Sequence, residues 1–166
     1  MPARLQEKPK PKRTHLRRLD RVFERYDPPL LLVTCCVRDR APVLATPSVV
    51  QILKEAWQEA QDVHRWLVGR WVVMPDHVHF FCTPLGDRAK ELGQFLGCWK
   101  RWTCRQIRKV GLREFNWQAE FFDHLMRSQE SYQAKWEYVR ANPVRGGLVQ
   151  RPDDWSFQGE AHSLRW

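Results

Sequence analysis

The sequence predicts an α+β fold in which an antiparallel sheet packs against helices on one of its faces. Short β-prone runs alternate with longer segments of helical periodicity, and no internal repeat divides the chain. The runs "WLVGRWVVM" and "HVHFFCT" are separated only by Pro75 and Asp76, which is typical of an antiparallel hairpin. A chain of 166 residues is also long enough to bury one core without disulfide bonds.

The first half of the chain contains three predicted strands and one helix. The run "LLLVTCCVR" (30–38) is apolar, with prolines before it and charges after it, so we expect the first strand there. A helix should follow from Ser48, a residue suited to N-capping. Its apolar positions recur every three or four residues: Val49, Leu53, Ala56, Trp57, Ala60 and Val63. The hairpin strands, 66–74 and 77–83, come next.

The second half begins with a helix predicted from about Arg88 to Val110. Its apolar stripe consists of Leu92, Phe95, Leu96, Trp99, Trp102 and Ile107. Residues 116–127 could hold a fourth strand, and residues 129–142 should form a third helix that Pro143 ends. The order β-α-β-β-α-β-α fits the ferredoxin-like split βαβ arrangement, with a four-stranded antiparallel sheet, two helices on one face and an additional C-terminal helix.

The charge of the chain favours a polyanionic partner. There are 28 Lys and Arg residues against 19 Asp and Glu, a formal net charge of +9, which suits nucleic acid, although an acidic membrane surface could use the same charge. No apolar run approaches the ~20 residues that cross a bilayer, and the N-terminus has no apolar signal segment. We therefore expect a soluble, cytoplasmic protein without a membrane partner.

Three regions are expected along the chain: a flexible basic arm over residues 1–28, one folded domain over 29–150, and a C-terminal tail over 151–166. Five cysteines, at positions 35, 36, 82, 98 and 104, form no CxxC motif. We expect them to be reduced and mostly buried.

The stretch "VVMPDHVHFF" (72–81) places two histidines one residue apart on a predicted strand. Side chains alternate between the faces of a strand, so His77 and His79 should point the same way. Two neutral imidazoles can bind one divalent metal and leave room for a phosphate oxygen. Two solvated or hydrogen-bonded strand histidines would fit the same pattern.

Tyr138 and Asn142 lie four residues apart on the third predicted helix and so share one of its faces. A phenol can attack phosphorus when the phosphate is polarised, and an amide oxygen can complete a metal shell. Alternatively, Tyr138 packs in the core and Asn142 caps the helix before Pro143. Spacing alone leaves both interpretations open.

The motifs "VVMPDHVHFF", "WQAEFFDHLMRS" and "WEYVRANPVRGGLV", in this order, resemble those of the REP-associated tyrosine transposases. These form a single-tyrosine branch of the His-hydrophobic-His endonuclease superfamily. The resemblance runs from about Leu30 to Val149 and makes residues 29–150 the expected catalytic domain. Asp76 departs from it, because the motif more often has Asn there; we interpret the change as a turn-compatible replacement.

The resemblance implies a ferredoxin-like enzyme that cuts and rejoins single-stranded DNA next to a hairpin. His77 and His79 match the metal-binding pair, Tyr138 matches the nucleophile, and Asn142 takes the polar position that can supply a third ligand. The family uses Mg²⁺ or Mn²⁺, and imidazole suits Mn²⁺ better. Attack by the tyrosine would give a 5'-phosphotyrosine and a free 3'-hydroxyl. The chain has no GxxxxGK[ST] phosphate loop, consistent with a reaction that needs no ATP.

Some residues near these motifs have open roles. His124 is a second candidate for the third ligand, while Tyr132 should face away from Tyr138 and be structural. A domesticated hairpin-binding protein without cleavage activity is the alternative function, and a nuclease that uses water is a third. A monomer and a homodimer are both compatible with one tyrosine per chain.

Single-stranded or hairpin DNA would be bound by cations and by aromatic stacking. The candidate cations are Lys100, Arg101, Arg105 and Arg108 on the second helix, and Lys12, Arg13, Arg17 and Arg18 in the arm. Runs of charge can equally be solvated faces. Trp57, Trp99 and Trp102 are expected in the core, whereas Trp155 and Trp166 should be freer to stack on bases.

Overall fold

The predicted elements form in the predicted order, with one further strand at the end. The computed structural model of the chain describes residues 28–164. The elements are β1 (Leu30–Cys36), α1 (Pro47–His64), β2 (Trp66–Val73), β3 (His77–Pro84), α2 (Leu92–Lys109), β4 (Phe122–Met126), α3 (Gln129–Arg140), α4 (Asn142–Arg145) and β5 (Gln158–Glu160).

The strands form one antiparallel sheet in the order β4-β1-β3-β2-β5. The first four give the order expected of a ferredoxin-like sheet, so the predicted fold class is confirmed. The hairpin between β2 and β3 also forms, closed by a hydrogen bond of 2.8 Å from the Met74 amide to the His77 carbonyl oxygen. In the register of β1 and β3, Cys36 lies opposite His77 and Thr34 opposite His79.

The main core lies between the sheet and the pair α1 and α2. Apolar side chains from the sheet and from both helices are buried there, among them Trp57, Phe80, Phe95 and Trp99. Trp57 stacks on Trp99, with ring centroids 5.9 Å apart. The two helices thus cover one face of the sheet, as predicted, and Trp57 and Trp99 belong to the core, as predicted.

A second, smaller core covers the opposite face of the sheet. It contains Phe81 from β3, Val72 from β2, and Tyr132 and Val139 from α3. Because side chains alternate along β3, His77, His79 and Phe81 share this face while Val78 and Phe80 point into the main core. We call it the histidine face.

Some element boundaries differ from the prediction. Helix α1 begins at Pro47 with Thr46 at the N-cap, so Ser48 does not cap it; proline fits the first helical position because its missing N–H is not needed there. Helix α2 begins at Leu92 rather than near Arg88. Helix α3 ends at Arg140 with Ala141 as its C-cap, two residues before the predicted end, and Asn142 and Pro143 belong to the short helix α4 that follows.

The segment expected as a C-terminal tail instead adds strand β5 to the edge of β2. Its amides at Ala161 and His162 donate to the carbonyl oxygens of Gly69 and Val68, at 3.0 and 2.9 Å. Trp155 donates its indole N–H to the Val73 carbonyl oxygen at 3.0 Å and packs against the second core. This tryptophan is therefore part of the fold rather than free to stack on bases.

All five cysteines are free thiols, and four of them are buried, as expected. No helix within the described part of the chain is long and apolar enough to cross a membrane. The predicted basic arm lies outside the described residues, with its candidate DNA-binding cations Lys12, Arg13, Arg17 and Arg18; so does Trp166.

Candidate active site

The two histidines of β3 converge on one point of the histidine face. Their Nε2 atoms lie 3.1 Å apart, and the ring planes cross at 85° with centroids 4.8 Å apart. The period of the strand put both side chains on one face, and the crossed rings bring the two nitrogens together.

Each imidazole is held by a different group through its other nitrogen. Oδ1 of Asp76 lies 2.6 Å from Nδ1 of His77, and Oγ1 of Thr34 lies 2.8 Å from Nδ1 of His79. An ionised carboxylate can only accept, so Nδ1 of a neutral His77 carries the proton and Nε2 presents a lone pair. The Thr34 hydroxyl can donate or accept, so His79 can adopt either tautomer.

Burial favours neutral imidazoles at this point. Burial, followed by the charges of His77, Arg40 and Arg145, lowers the pKa of His79 to about 3. Burial also lowers the pKa of His77, with Arg40 acting in the same direction and Asp76 opposing it. Both imidazoles are therefore neutral at neutral pH, the form that can bind a metal.

Asp76 is fixed from its other side by Arg40. The Nε of Arg40 donates to Oδ2 of Asp76 at 2.8 Å, and its Nη1 to Sγ of Cys36 at 2.7 Å. Burial alone would raise the pKa of Asp76, but the hydrogen bond and charge of His77, together with Arg40, outweigh burial and lower it. Asp76 therefore does more than complete a turn: it orients His77.

The loop after β1 delivers Arg40 through two left-handed residues, Asp39 and Arg40, with φ of 57° and 56°. Such backbone costs ~1–2 kcal/mol per residue without glycine and so needs compensation from tertiary contacts. Sequence reasoning missed Arg40, because nothing in the string "RDR" signals positive φ. It also missed Thr34, although a polar residue inside an apolar run was a usable signal.

Helix α3 docks on the histidine face through the aromatic side chain that follows the pair. Phe81 meets Tyr132 edge to face at 4.8 Å between centroids, and Trp136 at 6.4 Å. Ser128 begins the helix with a capping box in which Ser131 is the reciprocal partner. The strand that carries the histidines thus also anchors the helix that carries Tyr138.

The two tyrosines of α3 have opposite environments. Tyr132 is buried, at 7% exposed, and burial raises its pKa, consistent with the expected structural role. Tyr138 is 59% exposed, so it is not a core residue. Its ring contacts two cations instead, with Nζ of Lys135 5.6 Å and Cζ of Arg145 4.0 Å from the centroid.

Asn142 begins helix α4, one turn after Tyr138. It does not cap α3, whose C-cap is Ala141. Its Oδ1 accepts a hydrogen bond from Nη2 of Arg145, which also donates to the Tyr138 carbonyl oxygen at 2.6 Å. Because an amide oxygen has two lone pairs, this bond leaves one for a further partner.

His124, the second candidate for a third ligand, is exposed on β4, and β1 separates it from the histidines of β3. Two strand spacings put ~10 Å between the backbones. Among the described residues no third His, Cys, Asp or Glu joins the pair in a cluster that could hold a metal. Asn142 is not one of these residue types, and its amide oxygen stays a candidate for the third ligand.

The side chains of the pair fit a divalent cation. The Nε2 atoms of His77 and His79 lie 3.1 Å apart, and the Nε2 of His77 carries a lone pair because Nδ1 carries its proton. Two lone pairs repel each other at this distance unless a proton or a cation lies between them. Acceptors behind metal-binding imidazoles fix the tautomer in just this way. His77 and His79 could therefore hold such an ion, with phosphate or amide oxygens filling its other positions.

The helix cations predicted to bind DNA lie on the far side of the sheet. Helix α2 packs in the main core, opposite the histidine face. The Nζ of Lys100 donates to the carbonyl oxygens of Gln118, Ala119 and Glu120, and burial lowers its pKa. Arg101, Arg105 and Arg108 are all exposed, and Arg108 also donates its Nε–H to the Phe115 carbonyl oxygen. The DNA-binding role of all four stays a prediction.

Two curated proteins are similar to the chain along most of its length. It is 30% identical over 125 residues to the REP-associated tyrosine transposase of Escherichia coli K12, across 75% of this chain and 72% of that protein. A Haemophilus influenzae protein provisionally assigned to the same family is 23% identical over 139 residues, across 77% of each. No protein-family model matches the chain.

Solved structures agree with these relatives. The structure of a REP-associated tyrosine transposase bound to a REP hairpin is similar with a TM-score of 0.62 at 28% identity, covering 78% of this chain and 75% of that one. A Deinococcus radiodurans protein described as a transposase shares the fold, with a TM-score of 0.52 at 15% identity, over 66% of this chain and 87% of that one.

Proposed function

The chain belongs to the REP-associated tyrosine transposases, and we propose that it cleaves and rejoins single-stranded DNA beside a palindromic hairpin through Tyr138. One observation carries the proposal: a converging histidine pair and an exposed phenol lie on the same side of the sheet. A relative whose structure is bound to a REP hairpin supports hairpin DNA as the substrate.

The proposed reaction is a transesterification at one phosphodiester. The phenolic oxygen of Tyr138 attacks phosphorus and loses its proton to solvent, and a bond forms between that oxygen and the 5'-phosphate. The bond from phosphorus to the 3'-oxygen breaks, and this oxygen takes up a proton to give a 3'-hydroxyl. Rejoining reverses these steps when a 3'-hydroxyl attacks the phosphotyrosine. The phosphoester bond is conserved throughout, so the cycle needs no ATP.

We also propose that His77 and His79 hold a divalent cation. Imidazole ligands suit Mn²⁺ better than Mg²⁺, although both are compatible with added phosphate and amide oxygens. When bound, the cation would supply Lewis-acid polarisation of the phosphate. The part played by the chain is to hold both imidazoles by their outer nitrogens. Asp76 fixes the tautomer of His77 that leaves Nε2 unprotonated, and Thr34 permits the same tautomer of His79.

The proposal is tested by trapping the covalent intermediate. The substrate is a single-stranded oligonucleotide with a hairpin, designed so that the short cleaved fragment diffuses away, and the buffer contains Mn²⁺. Wild type should give a protein–DNA adduct on a denaturing gel, and Tyr138→Phe should reduce it by on the order of 10³-fold or more, because the attacking oxygen is gone. Tyr132→Phe is the matched control: it removes a hydroxyl from the same helix and should keep the adduct.

Three other outcomes would each point elsewhere. An adduct that persists in Tyr138→Phe would move the nucleophile to another residue. Cleavage by both proteins without an adduct would mean that water is the nucleophile. Tight hairpin binding without cleavage under any divalent metal would support the alternative function, a domesticated hairpin-binding protein.

A further inference from the structure

Arg145 contacts three parts of the candidate site at once. Its Cζ lies 4.0 Å from the centroid of the Tyr138 ring, over the face of the phenol. Its Nη2 donates to the Tyr138 carbonyl oxygen and to Oδ1 of Asn142. A single side chain therefore fixes the ring of Tyr138, the end of its helix and the amide one turn later.

The guanidinium keeps donors for a further partner. Both protein hydrogen bonds of Arg145 use Nη2, although a guanidinium has five N–H groups. Within residues 28–164, no protein acceptor is bonded to its Nε or Nη1. Arg145 is also an exposed residue, so these N–H groups are open to a ligand.

The charge of Arg145 is uncompensated, in contrast to those of its neighbours. Arg40 pairs with Asp76, Arg140 with Asp153, and Arg151 with Asp154. Across the part of the chain that the structure describes, Arg145 forms no ion pair with a carboxylate. A cation without a carboxylate beside an exposed phenol is suited to an anion that approaches that phenol.

Geometry limits where this anion can be. A phosphorus attacked by Tyr138 must come within ~3.5 Å of the phenolic oxygen. The guanidinium lies over the ring that carries this oxygen, so oxygens of the phosphate fall within the reach of an arginine side chain.

We propose that Arg145 binds the scissile phosphate: it orients the Tyr138 phenol and donates an N–H of Nε or Nη1 to a non-bridging oxygen. This inference rests on the proposed cleavage through Tyr138. It assigns the site a residue that recognises the charge of the reacting phosphate, separate from residues that hold the remainder of the DNA.

The test compares Arg145→Gln with wild type on two hairpin oligonucleotides. One has an ordinary scissile phosphodiester, and the other has a methylphosphonate at that position, which lacks the negative charge. On the phosphodiester, Arg145→Gln should slow single-turnover adduct formation ~100- to 1,000-fold, the effect of removing one donor to transition-state charge. On the methylphosphonate, the two proteins should differ by less than ~10-fold, because there is no anion for Arg145 to bind.

Two further variants separate this role from folding and from overall charge. Arg145→Lys keeps the cation and should recover at least ~10-fold of the lost rate on the phosphodiester, even if the Gln variant folds poorly. Arg151→Gln removes an exposed arginine paired with Asp154 and should stay within ~3-fold of wild type. Hairpin affinity should change by less than ~10-fold in every variant, since one charge among many is lost.

Contrary results are distinguishable. An equal loss of rate on both oligonucleotides would mean that Arg145 only supports the structure, and an unchanged rate on the phosphodiester would exclude any role; either result overturns the inference and leaves the proposed function intact. A wild-type protein that forms no Tyr138-dependent adduct overturns both.

Discussion

His77 and His79 differ in how the fold holds the nitrogen that faces away from their meeting point. His77 is held by the carboxylate of Asp76, which fixes its tautomer, whereas His79 is held by the hydroxyl of Thr34, which accepts either tautomer. Nε2 of His77 therefore always presents a lone pair, whereas Nε2 of His79 presents either a lone pair or a proton. The two Nε2 atoms can therefore share a proton when no cation is bound.

Removing either imidazole should separate cleavage from binding. We expect His77→Ala and His79→Ala to lose adduct formation by at least ~100-fold, because one of the two proposed nitrogen ligands is gone, while hairpin affinity stays within ~10-fold. Adduct gels and gel-shift titrations in Mn²⁺ measure the two quantities.

His124→Ala is the matched control for these histidine variants. His124 lies on the histidine face but across β1, so its loss should leave the adduct yield unchanged. Asn142→Ala, run in parallel, should lower it. A loss of cleavage in His124→Ala with full activity in Asn142→Ala would instead make His124 the third ligand.

At the scale of elements, β3 and α3 form the rigid part of the site. Phe81 connects them, and its contacts with Tyr132 and Trp136 are aromatic pairs worth ~0.5–1.5 kcal/mol each beyond buried area. Arg70 of β2 lies over the rings of the same two residues, at 5.3 and 5.4 Å. The proposed nucleophile, Tyr138, is thus carried on a packed helix rather than on a loop, which favours precise positioning.

Strand β5 is the element whose attachment depends most on small residues. A Cβ at Gly159 would lie 2.8 Å from Cζ2 of the buried Trp71, and a Cβ at Gly69 would lie 2.6 Å from the side chain of Leu164. Trp71 is held in the main core, whereas Leu164 is only partly buried. The two glycines should therefore respond differently to substitution.

Gly159→Ala should lower the free energy of unfolding by ~1–3 kcal/mol, the range for overpacking against a side chain that cannot move. Urea unfolding followed by tryptophan fluorescence measures the change. Gly93→Ala is the control: the site is open, lies on helix α2 and should be neutral or stabilising by up to ~1 kcal/mol. Equal stability of the Gly159 variant and wild type would show that β5 contributes little.

For the molecule as a whole, the sheet separates two surfaces with different tasks. The face under α1 and α2 holds most of the core, and the histidine face carries the candidate chemistry. The exposed Arg101 and Arg105 belong to the first side. DNA bound by both these cations and the active site would have to pass around an edge of the sheet.

The packing of the whole chain also determines which thiols react. Cys35, Cys36, Cys82 and Cys104 are buried, and burial raises the pKa of Cys35 to about 12 and raises that of Cys82. A buried thiol that stays protonated is a poor nucleophile, so a thiol reagent should modify only Cys98 in the native protein and all five cysteines in denaturant. Mass spectrometry counts the labels.

Cys98→Ser serves as the control for this labelling and should abolish the native-state label. Fast modification of two or more thiols in the native protein would contradict the packing of the two cores. Fewer than five labels in denaturant without reductant would reveal a disulfide.

Much of the fold followed from local patterns, and the misses have identifiable causes. Hydrophobic periods located β1 to β3 and both core helices, because burial imposes a period of two or 3.6 residues. Strand β5 was missed because a three-residue edge strand has no period of its own and forms only when β2 offers an unpaired edge. The N-cap of α1 was placed two residues late, at Ser48 instead of Thr46, because Pro47 takes the first helical position.

In the candidate site, too, some relations follow from local patterns and others depend on tertiary contacts. The sequence by itself determined that His77 and His79 share a face and that Tyr138 and Asn142 lie one turn apart, since both relations follow from backbone periods. Only the tertiary structure decided that α3 lies on the histidine face and that Asp76, Thr34, Arg40 and Arg145 surround the pair and the phenol. These relations depend on strand register and loop conformation, which no local pattern encodes. They bring together residues far apart in the chain, such as Thr34 and His79, which are 45 positions apart.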